Sequence, residues 1–129
     1  MAKLASGIRQ DSSLLNLKAM DMKSIRPEII NLLVNDERII AAFKTIRDQV
    51  IITTKRIFVV NVQGVTGKKT AYFSYPFSKV QYFGIETAGL LDIDSELILT
   101  FSDGTVLQLD FRDSVDIKQI NQVIAHYIL

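Results

Sequence analysis

The sequence predicts a mainly β fold. A seven-stranded antiparallel sheet curls into a partly open barrel, a C-terminal α-helix caps it, and a helical arm precedes it. Three observations carry this reading. Strand-length apolar runs alternate with turn residues from Glu37 to Phe111. Within "TVLQLDF" the period is two, so Leu107, Leu109 and Phe111 share one face while Gln108 and Asp110 take the other. The period then changes, because Ile117, Ile120, Val123, Ile124, Tyr127 and Ile128 recur at helical spacing. At 129 residues, 48% apolar and 22% charged, the chain has the size and balance of one domain with its own core.

In chain order, residues 1–23 mix Leu4, Ile8, Leu14, Leu15, Leu17 and Met20 with Gly7, Ser12 and Ser13, a broken helical pattern read as a loosely helical arm. Residues 24–129 form the domain proper. "SIRPEIINLLVNDE" opens it as a short helix. Ser24 is its expected cap, Pro27 is tolerated in the first turn, and Asn35 and Asp36 stop it. The strands follow as "ERIIAAFKTI", "VIITT", "IFVVNVQ", "TAYFSYPF", "KVQYFGIET", "ELILTF" and "TVLQLDF". Asp103-Gly104 marks the last hairpin, since Gly accepts positive φ without penalty. In the terminal helix Asp113 is the expected cap, Asp116 charges the first turn, and Lys118, Gln119, Gln122 and His126 form the wet face. A curled sheet is left with an open end. Burying the opposite, apolar stripe there contributes on the order of 10 kcal/mol before ordering entropy.

Composition excludes several function classes. Fifteen basic against fourteen acidic residues give a net charge of +1, so no global field draws a phosphate backbone, and nucleic acid is not an expected partner. The absence of Cys removes disulfides, thiol catalysis and Cys-ligated metals, and fits a reducing cytoplasmic compartment. No apolar run has signal-peptide or membrane-spanning length.

Motif by motif, no catalytic constellation and no metal or cofactor site emerges. "QGVTGKKT" misses the phosphate-loop spacing, because Val62 stands at the first Gly position and Lys69 at the hydroxyl position. "DIDSE" resembles a calcium loop only superficially, with Leu97 where the turn needs Gly. His126 is the single His and has no Ser nucleophile motif or second ligand beside it. The chain is therefore read as no enzyme.

The pattern also contains an anomaly. "YFSYPF" and "VQYF" hold six of the eleven aromatics, on both alternating faces, and "IFVVNV" is apolar on both faces too. Such a sheet needs a second cover, from the N-terminal helices or from another copy of the chain.

"IRDQVIITTKRIFVVNVQGVTGKKTAYFSYPF", "IETAGLLDIDSEL" and "INQVIAHYIL" together resemble the bacterial pleckstrin-homology-like family. The shared features are an I-R-D turn, a T-x-K-R strand junction, a Q-G-x-T-G-K-K hairpin and an E-T-A-G loop, in order from about Lys23 to Leu129. The resemblance implies a pleckstrin-homology-like fold in a cytoplasmic domain that assembles into ring-like homo-oligomers, with no established enzyme activity. Fold alone does not assign a task.

The function expected is a non-enzymatic, self-assembling interaction module whose partner is itself, with an unidentified protein as client. Phe58, Val60, Tyr72, Phe73, Tyr75 and Phe77 are the candidate subunit contacts, and the hairpin tips and the Thr87-Ala88-Gly89 loop face the client. The alternative is a peripheral adaptor that meets anionic lipid headgroups or phosphate groups through Lys44, Arg47, Lys55, Arg56, Lys68 and Lys69. Against it, "IRDQV" is too tight to fold around a headgroup and carries Asp48.

Overall fold

The computed structural model describes residues 12–67, 69–87, 94–112 and 115–129. The strands are β1 (Ser12–Ala19), β2 (Ile39–Lys44), β3 (Gln49–Thr53), β4 (Arg56–Gln63), β5 (Lys69–Pro76), β6 (Val80–Thr87), β7 (Ser95–Phe101) and β8 (Val106–Phe111). Among the described residues two α-helices accompany them, α1 (Glu28–Leu32) and α2 (Ile117–Ile128). The strands form one sheet in the order β5-β4-β3-β2-β1-β8-β7-β6. Among the described strands its two ends, β5 and β6, remain edges, so the sheet curls without closing into a barrel.

All seven expected strands are present, within two residues of their predicted bounds. The eighth, β1, corrects the expected helical arm over residues 12–19; residues 1–11 lie outside those described. The three-residue spacing of Leu14 and Leu17, read as helical, has another cause. β1 pairs parallel with β8 but shifts register between these leucines, and Asn16 in the gap has φ 62°. Asn is one of the few side chains that enters that region readily. The extra residue turns both leucines to the same side, and both are fully buried. Arg112 fixes this corner, donating from its backbone N–H to the Leu17 carbonyl at 2.8 Å and from Nη1 to Asn16 Oδ1 at 2.9 Å. Past it, Lys18 and Ala19 pair antiparallel with β2. One short strand thereby stitches the two halves of the sheet together.

The concave face holds the main core, with Leu14, Leu17, Phe43, Val50, Ile52, Ile57, Val59, Leu97, Leu99, Leu107, Leu109 and Phe111 buried together. Helix α2 lies across its open end against β6, β7 and the 3-10 turn Phe77–Lys79. Ile117 and Ile124 are buried, and Ile120 and Ile128 pack beside them. The cap is Asp116, whose Oδ1 accepts from the Gln119 N–H at 3.2 Å; the expected cap Asp113 falls outside the described residues. Tyr127 leaves the expected stripe for the surface, where its hydroxyl accepts from Arg38 Nη2 at 3.0 Å.

On the convex side of β2, β3 and β4 a second apolar cluster joins Ala42, Ile51, Phe58 and Val60 to Ile29 of α1, flanked by Met20, Ile25, Leu33, Ile39 and Tyr72. The residues between β1 and β2 are thus the second cover that the two-faced strands require. That helix is shorter than expected. Met22–Ser24 forms a 3-10 turn, Ser24 makes no cap, and Pro27 leads into α1.

Candidate functional site

The six cations picked from the sequence do not form one group. β2–β3 and β4–β5 turn at one end of the sheet, β3–β4 at the other. Lys44, Arg47 and Lys69 are exposed at the first end, and Lys68 lies outside the described residues. Lys55 and Arg56 stand a strand length away, on the order of 15 Å.

Arg56 is committed to structure. Its Nε and Nη2 each donate to Glu37 at 2.8 Å, its Nη1 donates to Ser74 Oγ at 3.1 Å, and its Nη2 also reaches the Leu32 carbonyl. The guanidinium stacks 4.2 Å from the Phe58 ring centroid. Glu37 has no exposed side-chain surface and also accepts from Thr53 Oγ1 at 2.6 Å and the Val34 N–H at 3.0 Å. Burial alone would raise its pKa; the hydrogen bonds from Arg56, Thr53 and Val34 and the Arg56 charge outweigh that and hold it below 4.5. Thr53 Oγ1 also accepts from the N–H groups of Lys55 and Arg56 at 3.0 Å each. This is the structural content of the T-x-K-R junction: a clamp tying β3 and β4 to the chain leaving α1.

At the other end, the tight β2–β3 turn is closed by the Thr45 N–H donating to the Asp48 carbonyl at 2.9 Å, while Thr45 Oγ1 accepts from the Asp48 N–H at 3.0 Å. Asp48 is buried and accepts from the Val62 N–H at 3.0 Å. The I-R-D turn therefore pulls its acidic residue under β4. Gly64 and Gly67 hold φ of 79° and 68° in the β4–β5 turn, as their spacing predicts. Arg47 Nη2 donates to the Gly64 carbonyl, fastening the two tips side by side. Sequence reading missed what projects from them: Ile46 at 102% and Val65 at 104% relative exposure. Ile46 reads as the last residue of a strand, so alternation gave no signal. Val65, aliphatic between two turn glycines, was the available clue.

The candidate subunit contacts divide as well. Phe58, Val60 and Phe77 are buried within the single chain, the first two beneath α1, so they present no surface to a second copy. Tyr72, Phe73 and Tyr75 are half-buried on the edge strand β5. Tyr72 donates its hydroxyl to Glu28 Oε1 at 3.2 Å; burial, then the Glu28 carboxylate, raises its pKa. Of the E-T-A-G loop, Glu86 and Thr87 end β6, while Ala88 and Gly89 lie outside the described residues.

A third feature was not anticipated. Glu86 pairs directly with Glu96, and Glu96 with Asp110, a row of carboxylates across β6, β7 and β8. Burial and the charges of Asp110 and Glu86 raise the Glu96 pKa above 4.5. Gln108 Nε2 donates to Glu96 and Asp110 at 3.3 and 3.2 Å. These carboxylates, with Asn16, Asp94 and Arg112, line an open cavity of about 390 Å³. Among the described residues no group of three or more His, Cys, Asp or Glu could hold a metal ion, and no helix is long and apolar enough to cross a membrane.

The profile of the family described as Bacterial PH domain matches residues 9–128. Two Bacillus subtilis proteins are similar. Uncharacterized protein YjqA is 35% identical over 117 residues, covering 89% of this chain and 94% of that protein, and uncharacterized protein YozO is 31% identical over 97 residues, covering 75% and 83%. Among solved structures, a Shewanella loihica protein with a pleckstrin-homology domain superposes with TM-score 0.76 at 32% identity, covering 90% of this chain and all of that one. A pleckstrin-homology domain from Shewanella amazonensis gives 0.62 at 31%, covering 100% and 99%.

Proposed function

Because this chain belongs to the bacterial PH domain family, we propose that it is a non-enzymatic interaction module that assembles with copies of itself into a ring-like homo-oligomer. The observation that carries the reading is the apolar character left on the outside of the second cover. Met22, Ile30, Leu32 and Val34, all within one short stretch, are exposed, each by 42% or more. Two further features favour self-association. Among the described strands β5 and β6, eight residues each, have a hydrogen-bonded neighbour on one side only, and a net charge of +1 leaves little repulsion between copies. A contact between two different patches, repeated from copy to copy, closes into a ring when its rotation permits.

The test is the mass of the native particle by light scattering after gel filtration. The reading expects a discrete multimer that falls to a monomer in the double variant Ile30→Glu, Val34→Glu. These exposed positions leave the melting temperature little changed. A wild-type monomer at high concentration, or a multimer indifferent to both substitutions, overturns it.

A further inference from the structure

We infer that the open edge of β6 is a docking site for a basic, extended segment of a partner protein, which adds as a further strand and sets a Lys or Arg side chain at the Glu86 end of the carboxylate row. The ladder fixes which main-chain groups are free. The Phe101 N–H donates to the Thr105 carbonyl, toward β8. Alternation then turns the main-chain groups of Glu96, Ile98 and Thr100 to β6, where these residues oppose Glu86, Gly84 and Tyr82. Phe83, Ile85 and Thr87 are left with their N–H and C=O groups on the outer edge, and no hydrogen bond among the described residues reaches them. The two edges of the sheet differ in protection. β5 carries Lys69 at its start and Pro76 at its end, whereas β6, "VQYFGIET", contains no Lys, Arg or Pro.

Gly84 stands in the middle of that edge. Its φ is not positive, so no turn requires glycine there, and a Cβ at this position would meet nothing within 4 Å. Glycine inside a strand weakens it but leaves room for the close approach of a neighbouring chain. Beside it on the same face, Tyr82 is 64% exposed and Glu86 is exposed. Charge decides the kind of partner. Among the described residues neither ion pair includes Glu86, Glu96 or Asp110, and the open cavity these carboxylates line has room for a long cationic side chain leaning over Glu86. A nucleic acid or an anionic bilayer is repelled by this row. A second copy's β6 would bring another Glu86 and neither Lys nor Arg. In strand addition the main chain supplies affinity, and alternate side chains supply the choice of partner. The site shares no residue with the patch proposed for self-association, and β5 stays available to a second copy.

Fluorescence anisotropy of the full chain with a labelled, end-capped peptide, Ser-Arg-Thr-Phe-Thr-Arg-Ser, tests it. In either strand direction its Phe can lie over Gly84 with one Arg at Glu86 and the other over the Tyr82 ring. The wild type is expected to bind it, more weakly as salt rises, and not to bind the same peptide with Glu in place of both Arg. Glu86→Lys should cost about tenfold in affinity with the melting temperature little changed. Two further peptides, N-methylated on alternate residues, separate strand addition from charge attraction. The one whose methyl groups face β6 should lose binding, and the other should keep it. The monomeric Ile30→Glu, Val34→Glu variant should bind as the wild type does, which separates this proposal from self-assembly. No binding by the wild type up to about 1 mM, indifference to Glu86→Lys, or equal binding of the two N-methylated peptides overturns the inference. Binding by the monomeric variant alone also overturns it, because the edge would then belong to a second copy.

Discussion

The two halves of the sheet solve the same problem differently. On β3 and β4 burial is nearly continuous, with Val50 to Thr53 and Ile57 to Asn61 all buried, because the core lies on one face and α1 on the other. On β7 and β8 burial alternates without a break, Ser95, Leu97, Leu99 and Phe101 inward with Glu96, Ile98 and Thr100 between them. The polar groups differ in the same sense. Where both faces are covered, Glu37, Arg56 and Thr53 satisfy one another. Where one face is wet, Glu86, Glu96 and Asp110 stand opposite one another as like charges, an arrangement tolerable only because water screens it. A buried charge demands an exact partner, whereas an exposed one survives a poor neighbour.

The largest expected effect follows from the clamp. Arg56→Ala leaves a buried carboxylate without its cation and should cost about 3–5 kcal/mol in denaturant unfolding at neutral pH. Glu37 has its folded pKa held below the unfolded 4.5, so its contribution is complete above the unfolded value and disappears as pH falls through the folded one. The cost of Arg56→Ala should therefore shrink in acid. A cost below about 1 kcal/mol at pH 7 would mean that the doubly covered half tolerates a lone charge as readily as the wet half does.

A matched pair of cavity mutations sharpens the contrast. Ile29 and Ile98 both serve the outer side of the sheet, but Ile29, on α1, is wholly buried against it and Ile98 is half-buried on the wet half. Ile29→Ala should cost about 2–4 kcal/mol, and Ile98→Ala well under half of that. Similar losses at the two sites would remove the distinction between a covered and an uncovered face.

Legibility in the sequence followed the same division. The wet half was readable in detail, since an alternating pattern such as "TVLQLDF" names its own inner face and the stripe of α2 names its own lid. The covered half announced only that some cover was missing. Its identity depended on contacts between Ile29 and Phe58, twenty-nine positions apart, which no local period encodes. β1 was misread for a similar reason, because a bulge at Asn16 imitates helical spacing. Of the candidate cations, residue type singled out all six, but only strand pairing could separate the tip residues Lys44, Arg47 and Lys69 from Arg56 inside its clamp.

The carboxylate row supplies the smallest and most diagnostic prediction. Glu96 sits between Glu86 and Asp110, and its folded pKa is raised above 4.5 by burial and by those two charges. Ionisation is therefore opposed in the folded state. The penalty is absent well below the unfolded value, where the carboxyl is protonated folded or unfolded, and complete once pH exceeds the folded pKa. Glu96→Gln should accordingly stabilise the protein by about 0.5–1 kcal/mol at pH 7 and by nothing measurable in acid, seen as a melting temperature that rises at the first pH and not at the second. An equal gain at both pH values would place the benefit in packing and not in charge, and the wet half would then be no more frustrated than the half α1 covers.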